Sequence, residues 1–212
     1  MNNPSIFNED YYMRGLEVGV SNYTDYHWMP EATMPLAATI KRLLGIIDGD
    51  RVLDVGASRG YLVKAMRMLR VEAFGYDVSE WAVANCHTDV TEFMRTSYDP
   101  QPMSYDFIIC KDVLEHIEPE ILKPMLMDLT SMMRQAMLIV VPLAATDDGP
   151  YICPKDEQDI THVNRWTLPT WLKFLESIDR RLVVSGGYYV PGIKQANSSW
   201  EHSCGFITIK RI

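Results

Sequence analysis

Between residues 31 and about 140, short apolar runs alternate with stretches whose apolar residues recur every three or four positions. The runs are RVLDV, VEAFGYDV, YDFIIC and AMLIVVPL. The last is apolar at almost every position, as in a strand buried on both faces. Strands separated by helical stretches join in parallel, with helices over both faces of the sheet. The predicted class is therefore α/β. Two β-rich runs at the end, RLVVSGGYYV and GFITIKR, lack a helical stretch between them and predict an antiparallel hairpin at one edge.

The helical stretches carry their own punctuation. From Glu31, the residues Met34, Leu36, Ala37, Ile40, Leu43 and Leu44 make an apolar stripe, with Pro35 expected in the first turn and Gly45 near the end. YLVKAMRMLR continues the spacing through Leu62, Val63, Met66 and Leu69. Ser79 is placed to cap EWAVANC, and a weak third strand is expected around HTDV. Pro119 suits the first position of a helix starting at Glu118. Thr167 is placed to cap LPTWLKFLES, with Leu168, Trp171, Leu172 and Leu175 inward. Residues 1–30 are polar, aromatic and aperiodic, an N-terminal arm or lid; residues 31–212 form one domain.

Composition narrows the partners. The formal net charge is −8, with lysine and arginine scattered. Duplex nucleic acid is thus not expected, since it needs a basic face. Cys86, Cys110, Cys153 and Cys204 contain no CxxC pair and read as free thiols in a reducing compartment. The N-terminus lacks a basic region followed by an apolar run, and no apolar stretch nears the roughly 18 residues that span a bilayer. A cytoplasmic protein without a membrane partner is expected. The sequence does not indicate an oligomeric state.

Two stretches carry chemistry. In VLDVGASRGYLVKAM a strand opens into a small-residue loop and then a helix, so that Gly56 and Gly60 let the backbone approach a ligand near a helix N-terminus. The dinucleotide pattern GxGxxG is not matched. Asp77 ends the next strand, 17 residues beyond Gly60. It can accept ribose hydroxyl protons, or cap the following helix with Ser79. In ICKDVLEHIEP, Asp112, Glu115 and His116 stand at i, i+3 and i+4, on one face of any helical turn. They suit metal binding, acid–base work or support of a turn.

LDVGASRGY, then GYDVSEWAV, then YDFIICKDVLEHI, in that order and spacing, resemble the class I S-adenosylmethionine-dependent methyltransferases over residues about 31–212. The resemblance implies a Rossmann-like, seven-stranded, mostly parallel sheet with a C-terminal antiparallel hairpin. It implies S-adenosylmethionine as cofactor. Asp54, Gly56, Ala57, Ser58 and Gly60 would match the loop around the methionine moiety, Ser58 standing where a glycine is usual. Asp77 and Val78 would lie at the ribose, Asp89 and Val90 at the adenine, and Lys111 and Asp112 beside the cofactor amine and the acceptor. DVLEHI with His162 also resembles quinone-biosynthesis O-methyltransferases and small-RNA 3′-terminal ribose methyltransferases. There two acids and two histidines hold a divalent ion, which would map to Asp112, Glu115, His116 and His162. Asp replaces the usual Glu at 112, and the metal-free reading is preferred. His162 and His116 are then candidate catalytic groups, and Tyr11, Tyr12, Tyr23, Tyr26 and Trp28 a candidate lid.

The expected activity is methylation of a small polar metabolite or natural-product intermediate, with oxygen favoured. The alternatives are a metal-assisted methyltransferase of a nucleic-acid or nucleotide end and a non-catalytic S-adenosylmethionine-binding protein.

Overall fold

The computed structural model describes residues 4–188, 190, 192–193 and 202–211. Within them seven strands form one sheet: β1 (Arg51–Val55), β2 (Glu72–Tyr76), β3 (Met94–Arg95), β4 (Tyr105–Lys111), β5 (Met133–Pro142), β6 (Leu182–Gly187) and β7 (Cys204–Arg211). The spatial order is β3-β2-β1-β4-β5-β7-β6. The first five strands pair in parallel, while β7 lies antiparallel between β5 and β6. The predicted edge hairpin is therefore present, its second strand placed inward. β5 earns its central position by sequence, because Ala136–Val141 is buried throughout.

Helices α3 (Pro30–Leu44) and α4 (Tyr61–Met68) cover one face. Ala37, Ile40, Val63 and Met66 pack there on Val52, Ile109 and Leu138. Helices α6 (Pro119–Met132) and α7 (Leu168–Glu176) cover the other, where Leu122, Leu126, Leu129, Trp171 and Leu175 meet Leu53, Ile108 and Ile139. Pro119 opens α6 with Glu118 as N-cap, as expected.

Several local expectations are corrected. Residues 87–90 do not form a strand: His87 caps a 3-10 segment, Thr88–Phe93, and pairing with β2 begins only at Met94. The side chain of His87 accepts from the amide of Asp89, a local bond that competes with extension. The helix expected from Glu31 starts at Pro30, which leaves Pro35 in its interior rather than in its first turn. Leu43, counted in the apolar stripe, is exposed. Thr167 is the N-cap of α7 by position, but its hydroxyl bonds Thr170 rather than a backbone amide. Ser79 does cap α5 (Glu80–Ala84), accepting from the Ala82 amide.

The arm contains two short helices, α1 (Glu9–Met13) and α2 (Gly15–Val18). Tyr11 and Tyr12 are 4% and 5% exposed, so the arm is packed onto the domain.

Candidate active site

The order of the strands reverses between β1 and β4, where a sheet of this kind leaves a crevice at the strands' carboxyl ends. A cavity of about 1160 Å³ lies there.

Its first wall follows β1. The amides of Gly56 and Ala57 donate to the carbonyl of Tyr76 at 2.8 and 3.0 Å, which turns the loop over the end of β2. Gly56 has φ +73°, and a Cβ there would lie 2.2 Å from Val113 Cγ2, so both conformation and space demand glycine. Ser58 adopts φ +50° despite carrying a side chain. Its amide donates to Asp77 Oδ2 at 2.6 Å, while the Ser79 amide donates to Oδ1 at 2.8 Å. Asp77 thus ties the loop after β1 to Ser79, the N-cap of the helix that follows β2. Each carboxylate oxygen keeps a second lone pair. Burial raises the pKa of Asp77. Asp54 is buried at the same wall, and burial pushes its carboxyl up to about 8, against the opposing pull of Lys111 and with a further push from Asp77.

The second wall follows β4. Lys111 Nζ pairs with the Asp112 carboxylate, and Asp112 has φ +55° with its amide on Val140 O at 2.8 Å. A 3-10 turn, Leu114–His116, comes next. The connection from β5 to α7 is laced to it: the amides of Val163 and Asn164 donate to Glu115 O at 2.8 and 3.1 Å. Asn164 Nδ2 donates to the carbonyls of Leu114 and Ile117 at 2.8 and 2.6 Å. This lacing brings His162 onto His116, ring centroids 4.6 Å apart. Ligand-capable atoms of Glu115, His116 and His162 lie within 4.8 Å of one another; Asp112 is outside that group. Burial lowers the pKa of His116 to about 4, with His162 adding to the effect.

The arm forms the roof. Tyr12 stacks on Trp81 at 5.6 Å and 15°. Tyr11 Oη donates to Asp159 Oδ2 at 2.6 Å, Arg59 Nη1 donates to Tyr26 O at 2.9 Å, and Ser79 Oγ donates to Phe7 O. Tyr11, Tyr12, Tyr23 and Tyr26 line the cavity, and burial raises all four phenols above their ordinary range. Trp28 is elsewhere: it packs on Tyr61 and lies under Lys64 Nζ, 5.0 Å from its ring centroid.

Of the residues singled out from sequence, Asp54, Gly56, Ala57, Ser58, Asp77, Val78, Lys111, Asp112, Glu115, His116 and His162 all border the cavity. Gly60 sits behind the wall as the N-cap of α4. Asp89 and Val90 do not border it: exposed Asp89 pairs with Lys64 at 2.9 Å, and Val90 is buried beneath Gly60. The cause is the 3-10 segment, which turns both residues away from the strand ends. Asp159 and Phe7 line the cavity without having been anticipated. The Tyr11–Asp159 contact joins positions 148 apart, and no local spacing announces it.

Residues 27–178 match the family described as "Methyltransferase domain". The chain belongs to that family. Its fold is that of the class I S-adenosylmethionine-dependent methyltransferases. A stretch of 89 residues is 32% identical to a ubiquinone biosynthesis O-methyltransferase of Leptothrix cholodnii, covering 37% of this chain and 38% of that protein. The chain thus spans less than half the length of the curated relatives it matches. Among solved structures it resembles magnesium protoporphyrin IX methyltransferase from Synechocystis, with TM-score 0.64 and 16% identity over 100% of this chain and 98% of that one. It also resembles the 1,6-didemethyltoxoflavin-N1-methyltransferase of Burkholderia thailandensis, with TM-score 0.62 and 17% identity over 100% and 91%. The cofactor of this class is S-adenosylmethionine, and the methyltransferase's cavity suits it. A buried carboxyl, Asp54, faces the space that a cationic ligand would fill, beside a loop in which Gly56 leaves no room for a side chain. No helix among the described residues is long and apolar enough to cross a membrane.

Proposed function

We propose that this methyltransferase moves a methyl group from S-adenosylmethionine to a small polar acceptor, with oxygen the favoured atom. The observation that carries the reading is one cavity joining the Asp54–Asp77 wall to the His116–His162 wall beneath an aromatic roof. The cofactor supplies a methyl group already activated by a sulfonium, so the protein's task is alignment and exclusion of water. Asp54 holds the amino group of the cofactor, and Asp77 and Val78 border its ribose. Lys111 and Asp112 border the cavity beside the cofactor's amine and the acceptor. His116 and His162 face the acceptor and take up its proton. Tyr11, Tyr12, Tyr23 and Tyr26 keep water out. The residues lining the cavity include eight carboxylates and a single lysine, which disfavours an acceptor rich in phosphate.

The grouping of Glu115, His116 and His162 favours a second reading, in which a divalent ion assists. One carboxylate and two imidazoles form a donor set that such an ion accepts, and it would polarise an acceptor hydroxyl there. Asp112, the fourth residue of the implied set, is instead held by Lys111.

Both readings are tested by offering neutral hydroxylated compounds to the protein with S-adenosylmethionine and following the demethylated product. Turnover that survives EDTA supports the proposal. Turnover restored only by Mg²⁺ or Mn²⁺ supports the second reading. Cofactor binding without turnover of any member supports a binding protein without catalysis.

A further inference from the structure

A chain of hydrogen bonds links Tyr11, Asp159, Thr161 and His116 along one wall of the cavity. Asp159, 4% exposed, receives Tyr11 Oη on Oδ2. Its Oδ1 receives both the amide and the hydroxyl of Thr161, at 2.9 and 2.5 Å. Thr161 Oγ1 also lies 2.7 Å from His116 Nδ1. A hydroxyl has one hydrogen to give and two lone pairs with which to accept. The carboxylate accepts only, so the hydrogen of Thr161 goes to Asp159. The bond to His116 must then run the other way, from Nδ1–H into Thr161 Oγ1.

We infer that Asp159 is a positioning residue that, through Thr161, fixes neutral His116 as its Nδ1–H tautomer and leaves the lone pair on Nε2. In water an imidazole takes either tautomer, and which nitrogen bears the hydrogen is set by the bond the other makes. Here the partner is buried: Thr161 is 1% exposed. Asp159 serves the arm as well, because its second oxygen holds Tyr11. Seating of the roof and the state of His116 therefore share one carboxylate. The consequence for an acceptor rests on the proposed function: a hydroxyl brought to Nε2 of His116 would meet the imidazole nitrogen that carries no hydrogen. The tautomer itself does not rest on that reading.

The test is long-range ¹H–¹⁵N correlation of histidine-labelled protein in EDTA at pH 8, where an ordinary imidazole is neutral. The chain holds five histidines, and His116→Gln assigns the signals of His116. The wild type should show the Nδ1–H pattern. Thr161→Ser should keep it, and Thr161→Val should move most of the population to Nε2–H while melting and near-UV dichroism stay close to wild type. An Nε2–H pattern in the wild type, or an unchanged pattern in Thr161→Val, overturns the inference. If Thr161→Val fails to fold, the wild-type and Thr161→Ser spectra still decide it. Absence of S-adenosylmethionine binding in a protein with the expected tautomer would sink the proposed function and leave this inference standing.

Discussion

Asp54 sits where a carboxyl gains most from a cationic ligand. Burial holds its pKa up at about 8, so near neutral pH the free protein keeps it largely protonated. Binding a cation should ionise it and release a proton. Calorimetry near pH 7 in two buffers of different ionisation enthalpy should detect that release, and Asp54→Asn should abolish it while weakening S-adenosylmethionine binding about tenfold or more. The same shift has a cost in stability. A folded pKa raised above the unfolded value near 3.9 gives a contribution that is complete below pH 4 and lost as pH rises through about 8. Without ligand, Asp54→Asn should therefore melt higher than the wild type at pH 8 and alike at pH 4. Gly56 is the complementary case. Gly56→Ala adds a methyl at φ +73° against Val113, and should lose cofactor binding while far-UV dichroism persists.

At the scale of elements, the roof is the part to test. Tyr12→Ala removes the stack on Trp81 and should raise the dissociation constant for S-adenosylmethionine about tenfold, since an aromatic pair contributes about 0.5–1.5 kcal/mol. Trp28→Ala should leave it within about twofold, because Trp28 lies away from the cavity. Trp171→Ala is the control: fully buried in α7 against Trp166, it should cost about 3–5 kcal/mol of stability without changing affinity in the protein that remains folded. These elements also mark how far the sequence could be read. β1, β4 and β5 were legible because each is a compact apolar run whose burial on both faces leaves no other assignment. The loops after β1 and β4 were legible because Gly56 and Gly60, and then Asp112, Glu115 and His116, follow directly on apolar runs. The segment 88–93 was not, since short polar stretches choose between 3-10 turn and strand by local side-chain bonds such as His87 to the Asp89 amide. The roof was legible as aromatic composition but not as geometry. Its contacts, Tyr11 to Asp159 and Ser79 to Phe7, join positions 148 and 72 residues apart.

For the molecule as a whole, the sheet order places every chemical feature at one end. The reversal between β1 and β4 opens the crevice, the carboxyl ends of the parallel strands supply Asp54, Asp77 and Asp112, and the long connection after β5 folds back to deliver Asp159, Thr161 and His162. The central claim is that this crevice is an S-adenosylmethionine site. Isothermal calorimetry of the purified chain with S-adenosylmethionine, its demethylated product and NAD tests it most directly. S-adenosylmethionine and its product should each bind at one site per chain, while NAD gives no heat. Binding of NAD alone would contradict the account.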